Sequence, residues 1–310
     1  MKPFYAAVAN LAPKLGFKGV RGLAGVLACC MWHLVPSRRK LAIRAIEKHI
    51  DVSPEQAARI ARSSFTHNFQ SFLELFLSGR VDEEFLQRHI RGIPPNGLQQ
   101  ALKYDGPIIG ITAHLGAWEF LGGALGNTIR KERKEALVVV RRNKNPDIHE
   151  LITHFRQIGG TRVVDHRQAV FTVLKVLKKK GLAAFLVDHN CPRNEAIFLP
   201  FLNDIAAVNM GPAVLAVRSG AAVLPVFLVR DGQGGYETHV GKMLTPEELT
   251  GSRDDKIRQV ARFYTQQVED YVRKYPEQWF WMHKRWKTRP EAGQDNRSAS
   301  ESTREEKLVG

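Results

Sequence analysis

Residues 108–123 read IIGITAHLGAWEFLGG, and the way this stretch divides decides the fold. Pro107–Ala113 is a short apolar run rich in Ile, which reads as a buried strand. His114 ends it. Leu115-Gly116-Ala117 suits a turn, because Gly116 can take backbone angles closed to other residues, and Trp118–Leu125 reads as a helix. On one continuous helix, His114 and Glu119 would be separated by about 500° of rotation and would point ~140° apart. With a strand, a turn and a helix start they can converge. The helix N-terminus then favours an ionised Glu119, expected to hold the imidazole tautomer and stabilise an imidazolium. His114 becomes a general base for a hydroxyl or a water. Two residue types five apart also occur by chance, so a core strand that merely ends in a His reads the same way.

Working outward, further strands are expected at Ala136–Val140, Thr161–Val164, Leu182–Val187, Ala222–Val229 and Tyr236–Val240. Between and after them, helices are expected at Pro146–Ile158 (stopped by Gly159-Gly160), Gln168–Lys180, Gly211–Ser219 and Asp254–Lys274. This alternation implies an α/β fold with a mixed, largely parallel sheet covered by helices. Upstream, residues 37–80 read as helical throughout. Ser53-Pro54-Glu55-Gln56 has the form of a capping box with Pro in the first turn. The stripe Ile60, Ser64, Phe65, Asn68, Phe69, Phe72, Leu73 and Phe76 recurs at helical spacing, and Gly79 is a plausible stop. Core packing is the plain reading of that stripe; an acyl-chain path is the functional one.

Residues 1–36 form a third kind of region. Gly22–Trp32 carries no charge but is flanked by Lys14, Lys18 and Arg21 on one side and Arg38, Arg39 and Lys40 on the other. Eleven uncharged residues fall short of the ~20 that cross a bilayer, and the basic cluster after them does not suit a signal-peptide cleavage site. The expectation is a helix dipping into one leaflet, its cations meeting anionic headgroups; a buried core helix is the alternative. The domain reading is therefore a membrane-associated segment (1–36), an α/β domain (37–290) with a helical subdomain (37–80), and a tail (291–310) whose composition reads as disordered.

A net charge of +15 across 310 residues calls for an acidic partner: nucleic acid, an anionic membrane, a phosphorylated substrate or an acidic carrier protein. Cys29, Cys30 and Cys191 imply no disulfide framework. No C-x-x-C pair stands with a two-His cluster at zinc-ligand spacing, and the eleven His leave an unpatterned site open.

Several ordered blocks resemble one family. TAHLGAWEF, an H-x4-E motif after an apolar strand, is followed by VVVRRNKNP with Arg141, Asn145 and Pro146. FLVDHN and LPFLND supply Asp188, Pro200 and Phe201. NMGPAVLAVRSGAAVLPVF and PEQWFWMHKRWKTRP complete the order. Over roughly residues 20–290 the chain resembles the late lipid A biosynthesis acyltransferases (the lauroyl and myristoyl type), within the glycerolipid and lysophospholipid acyltransferase superfamily. Two departures stand out: His189 follows Asp188 where many relatives show Gln, and Arg142 follows Arg141 where Pro is frequent.

The resemblance implies transfer of a fatty acyl chain from an acyl carrier protein thioester to a hydroxyl of a phosphorylated lipid A precursor, at the cytoplasmic face of the inner membrane. It implies His114 as base, Glu119 as its orienter, and no covalent acyl-enzyme, metal or cofactor, the acyl carrier protein being a co-substrate. Arg141 is the expected guanidinium for developing charge or a substrate phosphate. Asp188 is expected to place the acceptor or support Arg141, or simply to cap a turn. His189 reads as structural or solvent-facing, Trp118, Trp279 and Trp281 as packing or interface residues, and Lys284, Arg285, Lys287 and Arg289 as a membrane or partner contact. Three other functions compete: the same chemistry on another phosphoglycolipid or a lysophospholipid, a hydrolase, and a basic nucleic-acid-binding protein. The last expects exposed aromatics among the cations, and that pattern is absent from the sequence.

Overall fold

The computed structural model describes residues 3–91, 97–132, 135–141, 143, 145–158, 162–166 and 169–291. In chain order the helices are α1 (Pro3–Leu34), α2 (Pro36–His49), α3 (Pro54–Glu74), α4 (Glu83–His89), α5 (Leu98–Leu102), α6 (Trp118–Lys131), α7 (Pro146–Ile158), α8 (Ala169–Lys178), α9 (Gly211–Ser219) and α10 (Arg253–Lys274). The strands are β1 (Ile90–Arg91), β2 (Ile108–Thr112), β3 (Ala136–Val140), β4 (Arg162–Asp165), β5 (Leu182–Leu186), β6 (Ala196–Phe201), β7 (Asp204–Asn209), β8 (Ala222–Arg230) and β9 (Tyr236–Val240).

Seven strands make one sheet in the order β1-β9-β8-β2-β5-β3-β4. From β8 to β4 every pairing is parallel; β9 runs antiparallel to β8, and β1 joins β9 in parallel. Strand β2 lies at the centre, Ile108 opposite Leu182 of β5 on one side and Ala222 of β8 on the other. Its five residues are all buried, because both faces of the sheet are covered. Ile109 and Ile111 pack into a core shared with Val173 and Val176 of α8, Ala213 and Ala216 of α9, and Tyr264 and Val268 of α10. Ile108 points the opposite way, to Leu98 and Leu102 of α5 and Phe120 and Leu121 of α6. The two-residue period of the strand thus serves two helical layers.

Helix α3 begins as its sequence predicts, with Ser53 and Gln56 forming a reciprocal capping box. Its last turn tightens into a 3-10 segment at Leu75–Arg80. Two features go beyond the sequence reading. The segment containing Pro200 and Phe201 is an antiparallel hairpin, β6 with β7. Its turn residues are Leu202 and Asn203, and it is Leu202, not the Asn, that takes the positive φ of +55°. The apolar N-terminal run also belongs to a much longer helix: Lys14–Leu34, 21 residues, is long and apolar enough to cross a membrane by length and composition. The uncharged run of eleven is thus one part of a longer apolar helix. The helix has two faces: Val20, Ala24 and Ala28 are buried, whereas Val26, Leu27 and Leu34 are exposed. Beyond Glu291, the expected tail lies outside the described residues, as do Gly159, Gly160 and Arg142.

Candidate active site

Parallel strands bring their C-terminal ends to one edge, where an open α/β sheet ordinarily binds its ligands. His114 follows β2, Arg141 follows β3, and Asp188 lies two residues beyond β5. The turn between His114 and α6 is pinned on three sides. Gly116 N donates to Gln278 O at 3.0 Å and Ala117 N to Leu228 O at 2.7 Å. Gly116 O accepts from Ser71 Oγ at 2.5 Å. Gly116 sits at φ +65°, and a Cβ there would fall 2.1 Å from Leu228 O, so both backbone angle and space demand glycine. Ser71 in turn accepts from Arg230 Nη2 at 3.0 Å. Arg230 is paired with the fully buried Glu74, which also accepts from Tyr236 Oη at 2.8 Å. A buried polar network thereby ties α3 to the turn that carries His114.

The carboxylate on His114 is Asp188. Asp188 Oδ1 lies 2.8 Å from His114 Nδ1. Its other oxygen, Oδ2, accepts from the His114 backbone N–H at 2.8 Å and from the Trp279 indole Nε1 at 2.8 Å. Trp279 is itself held by Ser64 Oγ, which donates to Trp279 O at 2.6 Å. With both oxygens engaged, the carboxylate fixes the ring's rotation and tautomer: Nδ1 carries the proton and Nε2 is left as the acceptor. The His114 side chain keeps 29% of its surface accessible, against 2% for Asp188. The ring is bordered by Trp118 at 5.5 Å and Phe280 at 6.1 Å between centroids, and Phe72 meets both of those rings edge-on.

Glu119 does something else. Arg156, on α7, donates to it through Nε at 2.8 Å and Nη2 at 2.7 Å, a two-pronged pair with little solvent access. The expected Glu119–His114 pairing is therefore replaced by two pairs, His114 with Asp188 and Glu119 with Arg156. The reason is geometric: α6 begins only at Trp118, and its first turn aims Glu119 towards α7, while the end of β5 abuts the end of β2. Burial works against a charged His114, but the Asp188 charge and hydrogen bond more than offset it; Glu119 adds to this and Arg156 opposes, leaving the pKa above its ordinary 6.5. Burial would raise the Asp188 carboxyl, yet His114 and the Trp279 indole hold it well below the usual carboxylate range.

Beneath the Glu119–Arg156 pair, an apolar cavity of about 130 Å³ runs along one face of the sheet, lined by Thr112, Trp118, Leu121, Leu137, Ala184 and Leu224 among others. Arg141 is exposed at the same strand edge. His189 lies against His114, ring centroids 6.1 Å apart and nearly perpendicular, so it faces the site. Burial, then the His114 charge, brings its pKa down to about 4. Within the C-terminal basic run, Arg285 is buried and donates to Ala207 O and Trp286 stacks on His49 at 3.5 Å, whereas Lys284, Lys287 and Arg289 are exposed, Arg289 pairing with Asp204. Arg156, Trp279 and the role of Asp188 were missed because each partner lies 37 to 91 residues away in the chain. Neighbour spacing carries no signal at that separation.

A family profile described as Bacterial lipid A biosynthesis acyltransferase matches residues 2–288. The chain is 28% identical over 283 residues to a Lipid A biosynthesis lauroyltransferase of Escherichia coli (strain K12), covering 86% of this chain and 85% of that one. It is 29% identical over 159 residues to a Lipid A biosynthesis palmitoleoyltransferase of the same organism, half of each chain. A Lipid A biosynthesis acyltransferase of Haemophilus influenzae is 27% identical over 175 residues, covering 56% of this chain and 54% of that one.

Proposed function

Because the chain belongs to the bacterial lipid A biosynthesis acyltransferase family, we propose that it moves a fatty acyl chain from an acyl carrier protein thioester to a hydroxyl of a phosphorylated lipid A precursor. The observation that carries this reading is His114, fixed through Nδ1 by a buried Asp188 and accessible beside an apolar cavity. Nε2 takes the proton of the acceptor hydroxyl as its oxygen attacks the thioester carbonyl. An ester bond forms, the carbon–sulfur bond breaks, and the imidazolium returns the proton to the departing thiolate. Asp188 balances the charge that appears on the ring between these two transfers.

Glu119 and Arg156 act as a second, fixed pair. Arg156 cannot give up its proton, so the pair's contribution is electrostatic and positional, placing a guanidinium at the cavity mouth where a carbonyl oxygen gains charge. Arg141, exposed at the rim, suits a phosphate of the acceptor. The cavity suits the acyl chain. Cys191 is a poor candidate for a covalent intermediate: it is buried, and burial pushes its thiol up to about 11, so it stays protonated and un-nucleophilic. The exposed apolar face of α1 supports contact with the cytoplasmic side of the inner membrane, where both substrates, an acidic carrier and an anionic lipid, meet a chain of charge +15.

The test is an assay of purified membranes with acyl carrier proteins of varied chain length and a phosphorylated tetra-acylated disaccharide acceptor. Wild type is expected to form the ester and His114→Ala to lose it. Unchanged transfer by the variant would overturn the role of His114, and no transfer by wild type to any glycolipid would overturn the acceptor class.

A further inference from the structure

His114, Asp188 and His189 each bring one nitrogen or oxygen to within 4.8 Å of the other two. We infer that this trio is a binding site for a divalent transition-metal ion of the zinc class, and that an ion bound there blocks acyl transfer by occupying the imidazole that must accept the proton. Two imidazoles and a carboxylate are a donor set zinc favours, and three protein ligands leave a fourth position for water. Tetrahedral bonds of about 2.0–2.1 Å set the donor atoms roughly 3.3–3.5 Å apart. His114 Nδ1 and Asp188 Oδ1, at 2.8 Å, need only to open slightly, while His189 closes in.

The metal takes bonds to Nδ1 and Oδ1, and the hydrogen between them moves to Nε2 of the neutral imidazole, the very atom that must accept the hydroxyl proton. An imidazolium, which already carries a hydrogen on Nε2, releases its Nδ1 hydrogen to solvent instead. Asp188 Oδ2 keeps its anchors, the His114 backbone N–H and the Trp279 indole, so the carboxylate is already oriented for the metal. His189 is equally prepared: its Nδ1 is buried without a hydrogen-bond partner, so that nitrogen gives up no bond if the ring turns. Such a trio cannot be read from sequence spacing, since 74 residues separate His114 from Asp188. It also depends on this chain's own His189, where the sequence resemblance anticipates Gln.

The test uses the full chain in detergent, stripped with a chelator and desalted. Cobalt(II) titration is expected to give visible absorption of tetrahedral intensity at one equivalent, and zinc to displace it. In the transfer assay, saturating zinc is expected to lower the rate at least tenfold, reversibly with EDTA. Loss of a group that merely hydrogen-bonds a metal ligand weakens metal sites roughly 10–100-fold, so His189→Gln is expected to weaken cobalt affinity at least that much and to abolish the zinc-dependent ratio of rates. No stoichiometric cobalt band, or wild-type affinity in His189→Gln, would overturn the site. X-ray absorption of the zinc-loaded wild type tests it without a variant: two imidazoles are expected, and one or none overturns it. The inhibition rests on the acyl-transfer reading, whereas the cobalt and X-ray signals do not. Metal binding by a protein that transfers nothing would sink the function and leave the site.

Discussion

Two carboxylates lie where the parallel strands end, and their partners differ in one property. Asp188 is paired with an imidazole, Glu119 with a guanidinium. The first pair can pass a proton, because an imidazole gains and loses one, here, despite burial, with its pKa raised above the ordinary 6.5 by the Asp188 charge. The second contains a guanidinium, which does not give up its proton in proteins, so it offers no proton-transfer step. Proximity in sequence assigns Glu119 to His114; the structure assigns Asp188. The comparison teaches that the His and the Glu of an H-x4-E motif can each be completed from a distant part of the chain, the one by a carboxylate and the other by a guanidinium.

Breaking the proton-transfer pair should produce the largest effect. His114→Ala is expected to lower kcat by about 10²–10⁴, the span of general acid–base contributions, measured with saturating donor and acceptor. Asp188→Asn should follow closely, about 10²–10⁴-fold, with a change in the pH profile that distinguishes it. Under the proposed mechanism the neutral imidazole is the active form, and since its pKa is raised the rate is expected to rise with pH through a value above 6.5. Without the Asp188 charge, burial dominates and lowers the pKa, so the acidic limb moves to lower pH. A limb that stays in place would break the assignment of Asp188.

A double-mutant cycle sharpens the comparison at the next level. Breaking a buried ion pair by removing one partner costs about 3–5 kcal/mol; here Arg156 retains 18% exposure, so a smaller loss is expected for Glu119→Gln, seen in denaturant unfolding. Glu119 should couple strongly to Arg156 and weakly to His114. The opposite ranking would restore the pairing suggested by sequence proximity.

Gly116→Ala should destabilise by roughly 1–3 kcal/mol from the backbone angle alone, and by more from the clash with Leu228 O, read as a lowered Tm with reduced activity in the surviving fold. The smallest effect is expected at the rim. Arg141, expected from the resemblance to meet developing charge or a substrate phosphate, is exposed, and exposed charges contribute little individually. Its loss should raise KM for the phosphorylated acceptor by about tenfold or less with kcat nearly unchanged, in a KM-against-kcat comparison.

The elements were largely legible before any coordinates. β2, β3, α7 and α9 fall where the apolar runs and caps place them, and the Ser53–Gln56 box starts α3 as read. Local chemistry decides such features, because a cap or a strand face is settled within a few residues. The β6–β7 hairpin was not legible, since Leu202 adopts its turn angle under tertiary constraint. Nor was the inward turn of Arg285, which looks from sequence like any other member of a basic run.

For the strand–turn–helix at 108–123, the sequence alone determined that His114 ends a buried strand and that Gly116 is needed to turn the chain. Only the tertiary structure decided which carboxylate meets the imidazole. Hydrogen bonds form over about 3 Å of space whatever the separation along the chain. The parallel register that sets the end of β5 beside the end of β2 put Asp188 there, and the first turn of α6 carried Glu119 away to Arg156.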